Sequence, residues 1–313
     1  MQALSVARRI KSLGHSVSFR CGLSTVAAKR QLCGRIIMYH GVVGRDGPLL
    51  AAQLRYLRRH FPIVPLGQVV ETVAAGRPLK NEIALTFDDG LLNNATVAYP
   101  ILKCLGIPAT FFVCPGLAGT GRWLWTHETR CRLRSLAPGT LPSLARKLSP
   151  AAATEDGIVE WMKSLRLDYR LAAEEKIRLA TPYFQPSALE REACDLMDWD
   201  ALRSLDSDLI TIGSHTLTHP ILPTLDEAAI HFEMTESRRQ LEQKLNRAVN
   251  YFCYPNGSFN TQALLAARQT YSAAVTAENG ILNGQDRDLH RMPRIPATRD
   301  CALLAWRLYR PGA

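Results

Sequence analysis

The stretch Ile83-Ala84-Leu85-Thr86-Phe87-Asp88-Asp89-Gly90 sets the fold: an almost wholly apolar run ends abruptly in two carboxylates and a glycine. A strand with one wet face alternates apolar and polar residues, whereas a strand buried on both faces reads as a continuous apolar run, the mark of a parallel sheet. The same form recurs in Arg35-Ile36-Ile37-Met38-Tyr39 before His40-Gly41, in Thr110-Phe111-Phe112-Val113, in Leu209-Ile210-Thr211-Ile212-Gly213 before Ser214-His215, and in Tyr251-Phe252-Cys253-Tyr254 before Pro255-Asn256-Gly257. Helix-like stretches at Leu54 to His60, Asn94 to Leu105 and Leu225 to Leu245 separate them. Alternation of strand and helix predicts an α/β architecture, and in barrels of this class the working groups gather at the carboxyl ends of the strands.

Residues about 120–195 break the rhythm: they carry Trp123, Trp125 and Trp161, many Leu and Arg, and little strand signal. They read as a mostly helical insertion, too long for an ordinary connection and of the kind that caps an active site. The 313 residues, 47% hydrophobic and 21% charged, suffice for one large α/β domain and exclude a disordered chain. The division expected is a basic extension at 1–34 and a catalytic unit at 35–313.

Lys and Arg number 38 against 28 Asp and Glu, a net +10, and the excess is concentrated early. Arg8, Arg9, Lys11, Arg20, Lys29, Arg30, Arg35 and Arg45 all precede the first acid, Asp46. Three readings stand for this leader: a solvated helical extension, a peripheral anchor to anionic lipid, or an organelle transit peptide. No apolar run approaches the roughly 18 residues that span a bilayer. The eight cysteines lack close-paired spacing, and most of them read as buried thiols of a reducing compartment. The expected location is therefore cytoplasmic, and on the second reading of the leader peripheral at the inner face of the membrane. Nucleic acid is not expected as a partner, because the cations are not interleaved with aromatics in a recognisable module.

Taken alone, Asp88-Asp89-Gly90 reads first as a turn that caps the next helix. Ser214-His215-Thr216-Leu217-Thr218-His219 carries two histidines four apart, which places both rings on one side of a helical turn at metal-ligand spacing; ordinary surface or core histidines are the alternative. Together the two motifs offer two imidazoles and a carboxylate, a three-ligand site with positions left for water and substrate.

Thr86-Phe87-Asp88-Asp89-Gly90 and Ser214-His215-Thr216-Leu217-Thr218-His219-Pro220 resemble the first two signature motifs of the polysaccharide deacetylases, carbohydrate esterase family 4. Met197-Asp198-Trp199-Asp200 through Gly213 resembles the approach to the second, and the likeness runs from about Ile36 to Pro296 outside the insertion. The resemblance implies a distorted (β/α) barrel. It makes Asp89, His215 and His219 ligands of a divalent metal, commonly zinc, with cobalt or nickel as alternatives, and Asp88 the general base. It also implies an N-acetylated oligosaccharide, polysaccharide or glycolipid as substrate, in the synthesis of cell-surface or extracellular polysaccharide.

Two departures from the family pattern matter. Cys253 stands where the third motif has an Arg that orients the base, and Arg294 is the candidate substitute, a solvated strand-end Arg being its other reading. Tyr254, Pro255 and Asn256 remain as a turn whose backbone N–H groups suit an oxyanion, or as a plain tight turn. The general acid is expected at His40, in Met38-Tyr39-His40-Gly41-Val42, rather than at His290. That strand resembles the exopolysaccharide deacetylase branch, in which the motif order is circularly shifted. His127 and His231 read as surface residues. The competing functions are a metal-dependent hydrolase of a non-sugar or formylated amide, and a silent scaffold that binds glycan or membrane.

Overall fold

The computed structural model of the chain describes residues 13–137, 139–148, 154–283 and 288–312. Of the basic leader, Arg8, Arg9 and Lys11 lie outside the described residues. Seven parallel strands close into a barrel in chain order: β1 Arg35–Tyr39, β2 Ile83–Phe87, β3 Ala109–Val113, β4 Ile210–Ser214, β5 Tyr251–Cys253, β6 Ala273–Asn279 and β7 Met292–Pro296, with β7 pairing β1. The closure is uneven, since β3 and β4 share five residue pairs while β4 and β5 meet at Ser214 and Phe252 alone. The expected distorted (β/α) barrel with helical insertions is the fold found.

The apolar runs divide by residue parity. Ile83, Leu85 and Phe87 pack outward with Leu50, Leu54, Leu57 and Leu102 of the surrounding helices. Ile36, Ala84, Phe112, Cys253, Val275 and Met292 fill the interior, where Leu66, Val69 and Val70 of the helix Leu66–Ala74 join them and stopper the barrel near the strands' amino ends. Burying each such aliphatic or aromatic side chain contributes about 1.5–3 kcal/mol. Above this layer the interior turns polar, beginning with Thr86 and Arg294, both fully buried.

Residues 125–194 hold five helices: Trp125–Arg134, Thr140–Leu148, Glu155–Lys163, Leu167–Ala180 and Ala188–Cys194. They gather a cluster of their own, including Trp125, Leu133, Ile158, Met162 and Ile177, that meets the barrel loops at Ile221. All eight cysteines are free thiols, five of them buried. No helix among the described residues is long and apolar enough to cross a membrane.

Candidate active site

Asp88 and Asp89 follow β2 without a break, the Asp88 N–H still donating to the Tyr39 carbonyl as a continuation of the ladder (3.0 Å). At Asp89 the backbone leaves the strand with φ 75°, a left-handed conformation uncommon outside Gly, Asn and Asp, and Gly90 follows at φ 66°. That reversal gives the two adjacent carboxylates different surroundings.

Asp89 belongs to the histidines. Its Oδ1 lies 3.6 Å from His215 Nε2 and 3.5 Å from His219 Nε2, and all three residues are buried. Donors bound to one tetrahedral ion at about 2.0–2.1 Å sit roughly 3.3 Å apart, so the trio fits a metal without rearrangement. His215 Nδ1–H donates to the Cys253 carbonyl (2.7 Å), which turns Nε2 toward Asp89; against the cost of burial, Cys253 and the hydrogen bond to Asp89 hold this imidazole well above its ordinary value, so a metal bound there takes the place of the Nε2 proton. Burial pushes the His219 imidazole down to about 3, with the neighbouring His215 lowering it further, so His219 presents a neutral ring. Burial opposes the charge on Asp89, yet hydrogen bonding to His215 and the surrounding histidines hold its carboxyl well below the usual range.

The helical turn expected at 215–219 is not formed. These residues make an irregular loop in which Thr216 (φ 66°) and His219 (φ 61°) are left-handed, and the two rings meet edge to face with centroids 4.8 Å apart. The i, i+4 spacing is satisfied by a double reversal instead of a helix. Glu233 steadies that loop by accepting from the Thr218 N–H (2.9 Å) and hydroxyl (2.6 Å), and Trp125 Nε1–H donates to the His219 carbonyl (3.1 Å).

Asp88 belongs to Arg294. The guanidinium reaches across from β7 and grips both carboxylate oxygens, Nη1 to Oδ1 and Nη2 to Oδ2, each at 2.7 Å. Its remaining donors meet the Thr276 carbonyl (2.7 Å), the Thr86 hydroxyl (3.1 Å) and the Cys253 sulfur (3.1 Å). The reading of Arg294 as a solvated strand-end residue fails, because its side chain is 1% exposed. Burial alone would raise the Asp88 carboxyl; Arg294 outweighs it and holds the group below the carboxylate range. Cys253, in the place of the family's third-motif Arg, packs its thiol against the same carboxylate (3.5 Å).

A cavity of about 350 Å³ opens above these groups, lined by His40, Asp88, Asp89, His215, His219, Tyr254, Asn256 and Arg294 from the barrel. His40 stands at its rim, half exposed, with Nε2 4.0 Å from Asp88 Oδ2. His290 does not line it: its Nε2 pairs with the Tyr271 carbonyl (2.9 Å). Tyr254 donates its hydroxyl to the His290 carbonyl (3.0 Å), and Pro255 is buried beneath the turn. In that turn Asn256 is left-handed (φ 57°) and Gly257 (φ 68°) approaches so closely that a Cβ there would lie 2.4 Å from the Ala277 Cβ.

The far wall of the cavity comes from the insertion and was not foreseen in detail. His127, expected on the surface, is 24% exposed and turns its Nε2 to within 4.0 Å of Asp89 Oδ2, because the first turn of the helix Trp125–Arg134 lies over the loop 215–219. Arg130 and Lys163 line the same wall, and Lys163 donates to the Asn256 side-chain oxygen (2.8 Å). The density of tryptophan before His127 was the only signal in the sequence. His231 is exposed, as expected.

A family model described as polysaccharide deacetylase matches residues 75–275. The Bacillus subtilis (strain 168) protein YxkH is 21% identical over 220 residues, covering 70% of this chain but only 52% of its own length. Among solved structures, IcaB from Ammonifex degensii superposes with a TM-score of 0.59 at 19% identity, covering 89% of this chain and 98% of that one. The Streptococcus pyogenes deacetylase PplD, in complex with acetate, gives 0.57 at 20% identity over 86% and 93% of the two chains. The deacetylase domain of BpsB from Bordetella bronchiseptica gives 0.53 at 17% identity over 85% and 96%. At these identities the structures establish a common fold.

Proposed function

The chain belongs to the polysaccharide deacetylase family, and from that premise we propose that it hydrolyses N-acetyl groups from amino sugars of a glycan or glycolipid, using a divalent metal held by Asp89, His215 and His219. The observation that carries the reading is the separation of two neighbouring carboxylates into different partnerships: Asp89 faces the Nε2 atoms of two histidines while Asp88 is gripped by a buried guanidinium. One carboxylate is thereby free to bind metal and the other to move a proton.

A metal bound there supplies Lewis acidity, polarising the acyl carbonyl and acidifying water. Zinc suits two imidazoles and a carboxylate, and cobalt or nickel suits them nearly as well. Asp88 is the general base. Arg294 keeps it ionised, and each carboxylate oxygen retains a lone pair beyond the one given to the guanidinium. His40, on the rim beside Asp88 and open to solvent, is the acid that protonates the departing amine. In the turn beside the cavity the N–H groups of Tyr254, Gly257 and Ser258 already donate to the Val275, Tyr254 and Pro255 carbonyls, which leaves the Asn256 N–H as the backbone donor suited to an oxygen that gains negative charge. The catalytic unit is taken as 35–313, with the insertion roofing the site.

Acetate release is measured from N-acetylglucosamine oligomers by metal-loaded wild type, Asp88→Asn and His40→Ala. The reading predicts release by wild type and its loss in both variants. Release of formate from N-formyl sugars, or of ammonia from simple amides, with no acetate from any glycan, transfers the same site to a different amide.

A further inference from the structure

Five of the twelve large apolar side chains exposed among the described residues fall within 13–32: Leu13, Val17, Leu23, Val26 and Leu32, each between 48% and 73% exposed. So dense a cluster in so short a segment is not the scattered exposure ordinary for a protein surface. Two short helical segments, residues 13–20 and Leu23–Arg30, carry four of them. In the first, Leu13, Val17 and Arg20 share one outward face by helical spacing; in the second, Leu23, Val26 and Arg30 do. The opposite faces anchor the pair to the barrel: His15 on Trp306 (4.8 Å), Phe19 on Tyr56 (5.2 Å), and the Ala28 carbonyl accepting from buried Arg35 (2.8 Å).

We propose that this outward face docks on an anionic lipid bilayer. The charge pattern selects that occupant: Arg20, Lys29 and Arg30 are exposed beside the aliphatic side chains, and no acid occurs in the sequence before Asp46. Aliphatic groups flanked by cations suit the boundary between acyl chains and anionic headgroups, whereas nucleic acid would call for aromatic stacking surfaces. The anchoring contacts lie at Arg35, where β1 begins, and at Tyr56, near the end of the helix that returns from it. The docked face is therefore at the end of the barrel opposite Asp88, Asp89 and His215, and the catalytic mouth turns away from the bilayer toward glycan extending from it.

The test is co-sedimentation of the full chain with vesicles of phosphatidylglycerol and, separately, of phosphatidylcholine, together with the double variant Val17→Glu/Val26→Glu. Both positions are exposed and distant from the site, so circular dichroism and acetate release from soluble oligomers stay unchanged. The expected result is wild type pelleting with phosphatidylglycerol alone, release by salt, and at least tenfold weaker partitioning of the variant. Wild type remaining in the supernatant, or equal binding by the variant, overturns the proposal. So does a wild-type dimer that the variant converts to monomer without any vesicle binding, which assigns the face to self-association.

Discussion

Replacing Arg294 by Met keeps the length of the side chain and removes the cation from Asp88. In the wild type, two 2.7 Å hydrogen bonds join a guanidinium and a carboxylate, both almost wholly buried. Breaking a buried pair by deleting one partner strands the other charge and costs about 3–5 kcal/mol. At roughly 2 °C per kcal/mol for a chain of this size, the melting midpoint falls by about 6–10 °C. The sign of the pH dependence follows from the same contact. Arg294 holds Asp88 below its unfolded value, so the pair's contribution is complete above the unfolded pKa, near 3.9, and lost as pH falls through the folded one. Without Arg294, burial raises the carboxyl instead, and an ionised Asp88 opposes folding. The deficit of Arg294→Met is therefore largest near pH 7 and narrows toward pH 4. Thermal unfolding of chelated wild type, Arg294→Met, Asp88→Asn and the double variant across that range measures it. A deficit under about 1 kcal/mol, or one independent of pH and not recovered in the double variant, refutes the argument.

Trp125→Phe removes the donor to the His219 carbonyl while keeping an aromatic ring under Arg170, which stacks on it at 4.7 Å. Metal affinity, read by competition with a chromophoric chelator, falls about 10-fold, on the scale of losses at groups that orient ligands. His40→Ala lowers kcat by about 10²–10⁴ with little change in KM, as loss of a general acid does, and His290→Ala leaves both near wild type; steady-state acetate release separates them. Gly257→Ala places a Cβ against Ala277 in a left-handed turn and lowers the melting midpoint, at a cost of about 1–3 kcal/mol.

Five of the seven strands were legible because a run such as Ile83 to Phe87 has no polar residue facing water, and because each run stops at residues a core rejects. β6 and β7 were not. The first begins Ala273-Ala274 and ends in exposed polar residues, and the second, Met292-Pro293-Arg294-Ile295-Pro296, carries two prolines that argue against a central strand. Arg294 was nonetheless singled out, because the family resembled has in its third motif an Arg that orients the base, and with Cys253 in that place another cation had to be sought. The matched span 75–275 includes Asp88, Asp89, His215 and His219 but neither His40 nor Arg294, which reach the site only through closure of the barrel between β1 and β7. The loop 215–219 was misjudged because spacing reports proximity without backbone conformation. His127 was missed for a different reason: five helices must pack before the first turn of one of them lies over Asp89, and no local pattern encodes that.

The most direct measurement is acetate release from an N-acetylglucosamine oligomer by chelated protein, titrated with zinc while bound metal is counted. The account predicts no release without metal and a linear rise that breaks at one ion per chain. It further predicts neither binding nor release in Asp89→Ala, and binding without release in Asp88→Asn. Release that persists after complete chelation, or one tightly bound ion per chain in Asp89→Ala, contradicts it.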